Sequence, residues 1–239
     1  MLIPFEETLY EATFVERPNR FILFATLADG EIVRAHVPDP GRLEGLLVQN
    51  ATVFLRFSQN PNRKTRWTAV LVERRDKGFV SLEAARANDI AARVIEKGIA
   101  SSLSAWTIQK KEYTYGHSRW DFLLHSHRGS ALLEVKSVTL AKEGIGYFPD
   151  AVTKRGRKHV EGLSDIARSE DGRAILLFVA QREDIHEIRP AEHIDPEFAE
   201  ALKYAKTSGV MMLGIKVKPS IGGYDYLGEV PVRLFDDLP

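Results

Sequence analysis

The stretch Ala131-Leu-Leu-Glu-Val-Lys-Ser-Val138 decides the fold of the second half of the chain. Its apolar residues predict a strand held inside a sheet, and two charged residues interrupt that apolar run. Side chains alternate along a strand, so Glu134 and Lys136 are expected to project from the same face. Taken alone, this tripeptide also fits an ordinary ion pair on an exposed strand.

A second acid lies on the strand predicted just before this one. Asp121 stands within Ser118-Arg-Trp-Asp-Phe122, and twelve residues separate it from Glu134. That length accommodates the rest of one strand, a turn over 125–129 and the returning strand. We therefore expect the two acids to lie side by side on adjacent strands.

Two convergent carboxylates suit a hard divalent cation. Mg²⁺ prefers oxygen ligands and keeps several of its waters, so Asp121, Glu134 and the peptide carbonyl of Val135 are the predicted ligands of Mg²⁺ or Mn²⁺. Such a cation polarises a phosphate and lowers the pKa of bound water, while Lys136 orients that water or offsets developing charge. The predicted catalytic residues are Asp121, Glu134 and Lys136.

Helical and extended patterns alternate around this pair of strands. Ser81 is predicted to cap a helix that Gly98 ends, and Glu83 falls in its first turn. The further predicted elements are a helix over 154–167, a buried strand over 174–181, a helix over 196–207 and a strand over 210–217. This order predicts a mixed α/β sheet flanked by helices.

The first third of the chain is typical of a small barrel. Five short strands are predicted over 9–16, 21–27, 31–37, 51–57 and 65–75, with a turn at Pro18-Asn19 and a break at Pro38-Asp-Pro-Gly41. A short helix over 42–47 precedes the fourth strand, as in an OB-type barrel. Several other small barrels fit the same pattern.

Composition excludes several classes of function. The chain has no cysteine, which rules out disulfides, thiolate metal sites and cysteine nucleophiles. Its formal net charge is zero, which disfavours indiscriminate coating of DNA but permits a local basic groove. Acids stand where a signal peptide needs cations, and the apolar run Ala174-Ile-Leu-Leu-Phe-Val-Ala180 is too short to span a bilayer. We expect a cytoplasmic protein with no membrane partner.

The acids and the lysine resemble the PD-(D/E)xK nuclease superfamily, in which one strand carries the first acid and the next carries E-x-K. Asp121 matches the first acid, although Arg119-Trp120 stands where the superfamily name has proline. The literal Pro-Asp pairs at 38–39 and 149–150 are followed by no E-x-K at the required spacing.

The chain also resembles the sugar fermentation stimulation protein A (SfsA) family over nearly its whole length. The residues that carry this likeness are Pro38-Asp-Pro-Gly-Arg42, Ser118-Arg-Trp-Asp-Phe122, Glu134-Val-Lys-Ser-Val-Thr-Leu140, Phe148-Pro-Asp-Ala-Val-Thr-Lys-Arg-Gly-Arg-Lys-His159, Leu177-Phe-Val-Ala-Gln-Arg182 and Ile194-Asp-Pro196. The resemblance implies an OB-like domain over 1–80, a nuclease-like domain over 81–239 and DNA as the partner.

Two groups of cations are candidates for contact with nucleic acid. In the basic run at 154–159, the phosphate-binding candidates are Arg155, Arg157, Lys158 and His159. For His159, proton transfer and a surface position without a role are the alternatives. In the first domain, Arg56, Lys64 and Arg66 accompany Trp67 and suit backbone contact with base stacking, and Arg42 is a further candidate. These aromatic residues equally fit a core position with cations around a loop.

Two further features have weaker functional interpretations. Glu83 is a possible accessory carboxylate at the cation, although an acid in a first helical turn usually just stabilises its helix. His125-Ser-His127 has metal-binding side chains, but the sequence offers no third ligand, which favours a polar turn.

The sequence favours a DNA-binding protein with a cation-dependent phosphodiesterase site. The first alternative is a non-catalytic DNA-binding regulator of sugar metabolism that grips phosphate in the same pocket. A module that binds small molecules or proteins is the second alternative, and it predicts no affinity for nucleic acid. Strandedness and oligomeric state stay open, and the lack of a known recognition helix predicts little base specificity.

Overall fold

The computed structural model describes residues 3–76, 78–170 and 172–234. The first elements are β1 (Ile3–Pro4), β2 (Leu9–Asn19), β3 (Ile22–Leu27), β4 (Ile32–His36), β5 (Thr52–Phe57), β6 (Trp67–Glu73), β7 (Phe79–Ser81) and α1 (Arg86–Lys97). They are followed by β8 (Thr107–Tyr115), β9 (Ser118–Ser126), β10 (Gly129–Val138), β11 (Leu140–Lys142), β12 (Ile145–Phe148) and α2 (Lys154–Arg168). The last are β13 (Ala174–Ala180), β14 (Glu187–Pro190), α3 (Pro196–Thr207), β15 (Met211–Ser220) and β16 (Gly223–Glu229).

Strands β2 to β6 form a closed barrel. They pair in the order β4-β3-β2-β5-β6, and a parallel pairing of β4 with β6 closes the ring at Ala35 and Trp67. Alternate side chains fill the interior, as Leu23, Ala25 and Leu55 illustrate with no exposed surface. This barrel confirms the OB-like architecture expected for the first domain.

The second half of the chain builds a seven-stranded mixed sheet in the order β1-β16-β15-β13-β10-β9-β8. Its central strands β10, β13 and β15 are parallel, and β13 is buried along its whole length, as expected for a strand covered on both faces. Helix α1 packs on one face of the sheet, and α2 and α3 pack together on the other face. Each face has its own cluster of buried apolar side chains. This arrangement confirms the mixed α/β class with a sheet between helices.

The two halves of the fold are interleaved rather than strictly sequential. Strand β1 precedes the barrel in the chain but pairs with β16 at the edge of the large sheet, through Ile3–Tyr224 and Pro4–Gly223. Phe5 continues this contact, because its ring meets the buried ring of Tyr224 edge-on. The chain therefore leaves the large sheet, builds the barrel and returns.

Some local expectations from the sequence were wrong. Residues 42–47 form turns and no helix, because Arg17 binds the carbonyl of Arg42 and the Asp150 carboxylate lies against Gly41, which holds this segment in an irregular conformation. Ser81 ends β7 and does not cap α1, which begins only at Arg86. Strand β2 runs on through Pro18-Asn19, where a turn was expected.

Among the described residues, no helix combines the length and hydropathy needed to cross a bilayer.

Candidate active site

Strand β10 brings Glu134, Val135 and Lys136 to a point where the large sheet opens. The pairing of β9 with β10 stops at Phe122–Leu133, while the pairing of β10 with β13 continues to Val138. The released N–H of Val135 donates instead to Oδ2 of Asp121, over 2.8 Å. The end of the β9–β10 ladder therefore places the Asp121 carboxylate beside the E-x-K strand.

Glu134 is the buried centre of the cluster. Only 4% of its surface is exposed, and Lys136 Nζ donates to its Oε1 over 2.6 Å. Nδ1 of His159, on α2, pairs with the same oxygen. The second oxygen, Oε2, is buried and has no hydrogen-bond partner. A buried carboxylate oxygen without a hydrogen-bond partner is costly, because nothing compensates for the water that it has lost. This atom is therefore free to bind a cation.

The two carboxylates influence each other. Burial raises the pKa of Asp121, the charge of Glu134 raises it further, and hydrogen bonds from Val135 and from Asn88 only partly compensate. Burial also acts to raise the pKa of Glu134, but the hydrogen bond with His159 and the charge of Lys136 outweigh it and leave that pKa below its ordinary value. A cation between two such groups relieves both repulsion and desolvation.

The donor set fits a hard cation with few protein ligands. Asp121 and Glu134 supply carboxylate oxygens, one of them without any partner, and Val135 supplies a neighbouring peptide group. No group of three or more His, Cys, Asp or Glu side chains in the described ranges has the geometry of a complete metal cage. A cation here would complete its shell with water, which is the usual coordination of Mg²⁺ and Mn²⁺ and not that of structural zinc.

Asn88 is a site residue that the sequence reading missed. Its side-chain amide donates to Oδ1 of Asp121 over 2.7 Å, so helix α1 fixes the first acid from the side opposite Val135. Asn88 follows buried Ala87 and precedes buried Ile90. A polar amide beside the apolar stripe of a helix was the signal that could have revealed it.

Gln181 is the second missed residue. Its amide nitrogen donates to the hydroxyl of Ser137 over 2.8 Å and to the carbonyl of Glu83 over 3.1 Å. Its oxygen is buried without a partner. Gln181 therefore ties the segment before α1 to the strand that carries the E-x-K residues.

The basic run on α2 divides into exposed and engaged side chains. Arg155 and Lys158 are exposed, and no carboxylate in the described part of the chain lies within ion-pair distance of them. Arg157 instead pairs with Glu197 and lies 3.7 Å from Glu161. His159 is buried against Glu134 rather than displayed to a ligand, which differs from its expected phosphate contact.

The barrel candidates are similarly divided. Lys64 and Arg66 are exposed, and Arg66 lies over the ring of Phe57 at 4.9 Å from its centroid. Trp67 is half-buried between Phe57 and Tyr10, with ring centroids at 4.9 and 5.2 Å. This half-buried aromatic cluster combines the two interpretations that the sequence left equal, since it is packed and yet remains partly at the surface.

Arg56 and Glu83 form an ion pair across the two domains. Arg56 donates to Glu83 over 2.6 Å, and the side chains are only 17% and 10% exposed. Arg86 contacts the other carboxylate oxygen at 3.6 Å. The pair replaces the roles expected from the sequence, because Arg56 faces a carboxylate and Glu83 faces two arginines.

The remaining sequence candidates lie away from the acids. Arg42 is on the loop that follows the Pro38–Gly41 break and pairs with Glu44 over 3.4 Å. His125 and His127 are exposed at the end of β9 and in the turn after it, as a polar turn predicts.

A cleft of about 320 Å³ runs between the barrel and the large sheet and reaches Lys136. The barrel contributes Arg20 and the Asp39-Pro40-Gly41 loop to its walls, and the large sheet contributes Lys136. The remaining wall comes from Tyr147 and from the segment that leads into α2. The amine of the E-x-K strand is therefore reached by way of the domain junction.

An OB-like barrel joined to a mixed α/β sheet, with two acids and a lysine on neighbouring strands, defines the class of this protein. The family model described as the SfsA N-terminal OB domain matches residues 15–82. The model described as the sugar fermentation stimulation protein RE domain matches residues 85–223. The chain belongs to the sugar fermentation stimulation protein family.

Relatives over nearly the full length support this assignment. A sugar fermentation stimulation protein homolog of Shouchella clausii is 40% identical over 94% of this chain and 97% of its own length. A homolog of Shewanella baltica is 38% identical over 90% of this chain and 93% of its own. The structure of Pyrococcus furiosus SfsA in complex with Ca²⁺ has a TM-score of 0.88 and 26% identity, and covers 97% of this chain and 98% of that one.

Proposed function

We propose that this protein binds DNA and hydrolyses phosphodiester bonds with the help of Mg²⁺ or Mn²⁺. The observation that carries the proposal is the unpartnered Oε2 of Glu134, buried beside the repelled carboxylate of Asp121 and next to an ammonium. A purely structural ion pair between Glu134 and Lys136 does not explain a second, partly buried acid whose charge is disfavoured. The Ca²⁺ complex of the Pyrococcus furiosus relative supports a divalent cation in this fold.

Each residue has a separate task in this proposal. Asp121 and Glu134 hold the cation, with Val135 as a neighbouring oxygen donor, and the cation supplies polarisation of the phosphate and a more acidic water. Asn88 fixes the rotamer of Asp121, and His159 fixes that of Glu134. Lys136 gives one donor to Glu134 and keeps the rest of its ammonium for the attacking water or for a phosphate oxygen.

The exposed cations of α2 complete the proposed interface. Arg155 and Lys158 lie in the first turns of a helix whose N-terminus carries a partial positive charge. Contacts from such groups to phosphates position a strand without reading its sequence, which agrees with a neutral net charge and with low base specificity.

The test is cleavage of labelled DNA and RNA with Mg²⁺, Mn²⁺ and Ca²⁺ in turn. We expect Asp121→Asn to abolish cleavage and Lys136→Ala to slow it about a hundredfold, the usual order of loss for one charge-stabilising donor. Asp165→Asn and Lys97→Ala are matched controls, because both side chains are exposed and lie on helices away from the acids. Equal activity in the wild type and in Asp121→Asn would contradict the proposal.

Calorimetric titration with Mn²⁺ separates the two DNA-binding hypotheses. A cation site lost in Asp121→Asn and kept in Asp165→Asn supports the phosphodiesterase. Salt-dependent DNA binding without any cation site or turnover supports the non-catalytic regulator.

A further inference from the structure

The loop over residues 39–42, here called the roof, forms the barrel side of the cleft and contacts both domains. The guanidinium of Arg17 donates to four carbonyls over 2.7–3.2 Å. Those carbonyls belong to Arg20 and to the roof residues Asp39, Gly41 and Arg42. The side chain of Arg17, which lies on barrel strand β2, therefore holds the loop in a single conformation.

The segment between β12 and α2 contacts the same loop from the other side. Burial raises the pKa of the Asp150 carboxyl, and the backbone groups of Leu43 and Arg42 beside it oppose that rise. The carboxylate sits so close to Gly41 that a Cβ there would lie 1.8 Å from its Oδ2. The roof therefore lies between Arg17 and Asp150, and these close contacts restrict the width of the cleft.

The acids of the roof do not make the cleft repel phosphate. Asp39 is 6% exposed, and its Oδ1 accepts the N–H of Gly41 over 2.8 Å. Arg17 lies near both Asp39 and Asp150 and offsets their charge. Arg20 is exposed at the rim of the cleft, and Lys136, which is largely buried and bound to Glu134, also lines it.

An aromatic ring and a helix start complete the lining. Tyr147 is partly exposed on β12 and faces the cleft, where a base can stack on its ring. Thr153, the N-cap of α2, also lines the cleft, so the positive end of that helix adjoins it. Cations, one aromatic platform and a helix N-terminus are the features with which proteins follow a single strand.

We propose, on the basis of the proposed phosphodiesterase function, that this cleft admits one strand of DNA and keeps an intact duplex away from Lys136. The cleft has about 320 Å³, near the lower limit of pockets for small ligands. In a duplex, a complementary strand accompanies every phosphate across a groove about 12 Å wide. A duplex is therefore too bulky for a cleft of this size. Enzymes with enclosed sites act on a single strand or on a nucleotide taken out of the stack.

The test compares three labelled DNAs of one sequence: a single strand, a blunt hairpin duplex and a duplex with a splayed single-stranded arm. Binding is measured by fluorescence anisotropy with Ca²⁺, and cleavage with Mn²⁺. We expect the single strand and the splayed duplex to bind at least tenfold more tightly than the hairpin, with cleavage confined to the unpaired arm.

Tyr147→Ala tests the aromatic platform, and Tyr204→Ala is its control on the exposed face of α3. We expect Tyr147→Ala to weaken single-strand binding about tenfold without changing hairpin binding, and Tyr204→Ala to change neither. Arg20→Ala should weaken single-strand binding and reduce its salt dependence, whereas Arg93→Ala on α1 should not.

Two results would overturn the inference and are distinguishable. If the hairpin binds and is cut as well as the single strand, while Asp121→Asn remains inactive, strand selection is refuted and the phosphodiesterase stands. If no DNA is bound or cut under any cation, both the inference and the proposed function fail.

Discussion

At the scale of single residues, the site depends on carboxylates in very different electrostatic surroundings. Glu134 has a partner cation and a depressed pKa, whereas Asp121 has a raised one because burial and Glu134 both oppose its charge. Asp39 is more extreme. Burial raises its pKa to about 6, the Gly41 N–H opposes the rise, and the charge of Asp150 adds to it.

Asp39→Asn should therefore stabilise the protein in a pH-dependent way. An unfolded Asp titrates near pH 4, so between about pH 4 and 6 the folded state binds more protons and the contribution of Asp39 to stability falls as pH rises. Its shift to about 6 corresponds to about 3 kcal/mol at most. Asparagine stays neutral and still accepts the Gly41 N–H.

The measurement is urea unfolding of the wild type and Asp39→Asn at pH 4 and pH 7. The advantage of the variant should grow toward pH 7. Asp29→Asn, in an exposed turn, is the control. A difference in stability between wild type and Asp39→Asn that does not change with pH would contradict the interpretation that burial disfavours the charge of Asp39.

At the scale of elements, helix α2 connects the cleft to the buried end of the site. Its N-cap, Thr153, accepts a hydrogen bond from the N–H of Gly156 over 3.0 Å, and His159 lies about one turn further on. Asp195 accepts the N–H of Thr153 over 2.8 Å and also caps α3. Two helix starts are therefore joined through one carboxylate.

Thr153→Ala should cost about 1 kcal/mol, the usual loss for an N-cap. Thr153→Ser keeps the hydroxyl and should cost much less, so the pair isolates the hydrogen bond from the loss of the methyl group. The readout is the midpoint of denaturant unfolding at constant m-value. Equal losses in the two variants would refute a capping role.

The sequence predicted the elements whose local signals agree with their packing. Helix α3 begins at Pro196 after the capping Asp195 and ends near Gly209, and both signals were visible. Strand β16 was missed because Gly223-Tyr-Asp-Tyr-Leu-Gly-Glu229 has weak alternation and depends on its neighbours β1 and β15. The segment 42–47 has helix-compatible residues, but distant Arg17 and Asp150 determine its conformation.

The central residues of the candidate site could be predicted from the sequence, because local signals place them. Alternation along one strand places Glu134 beside Lys136, and a short connection brings Asp121 to the next strand. The contacts of Asn88 and His159 join residues far apart in the chain. A polar amide beside an apolar helical stripe could single out Asn88, but no local pattern identifies the partner of either residue. The Pro-Asp pairs that lacked an E-x-K partner turn out to meet at the domain junction, through Asp150 and the backbone beyond Asp39.

At the scale of the whole molecule, the close approach of Asp150 to Gly41 predicts how the two domains depend on each other. Gly41→Ala places a methyl group inside the space of the Asp150 carboxylate, so either that side chain or the roof must shift. Gly30→Ala is the control, because its Cβ meets nothing within 4 Å and only its positive φ of 89° resists substitution, at about 1 kcal/mol.

We expect Gly41→Ala to lose clearly more stability than Gly30→Ala and to gain proteolytic cleavage near the junction. Unfolding followed by tryptophan fluorescence and limited proteolysis measure the two effects. It should also narrow the difference in affinity between single-stranded and hairpin DNA. Identical behaviour of the two alanine variants would show that the roof tolerates movement at no cost.

The pairing of β1 with β16 has a mechanical consequence for the barrel. A domain attached by one linker swivels in many directions, but this barrel is held where the chain enters from Ile3–Pro4 and again where it returns through Ser81 toward α1. These two anchorages add to the Arg56–Glu83 ion pair and to the contact of Asp150 with Gly41, so the barrel is restrained at several points along the domain junction. An excised fragment that starts at α1 would lack β1, the strand that pairs with β16 at the edge of the large sheet.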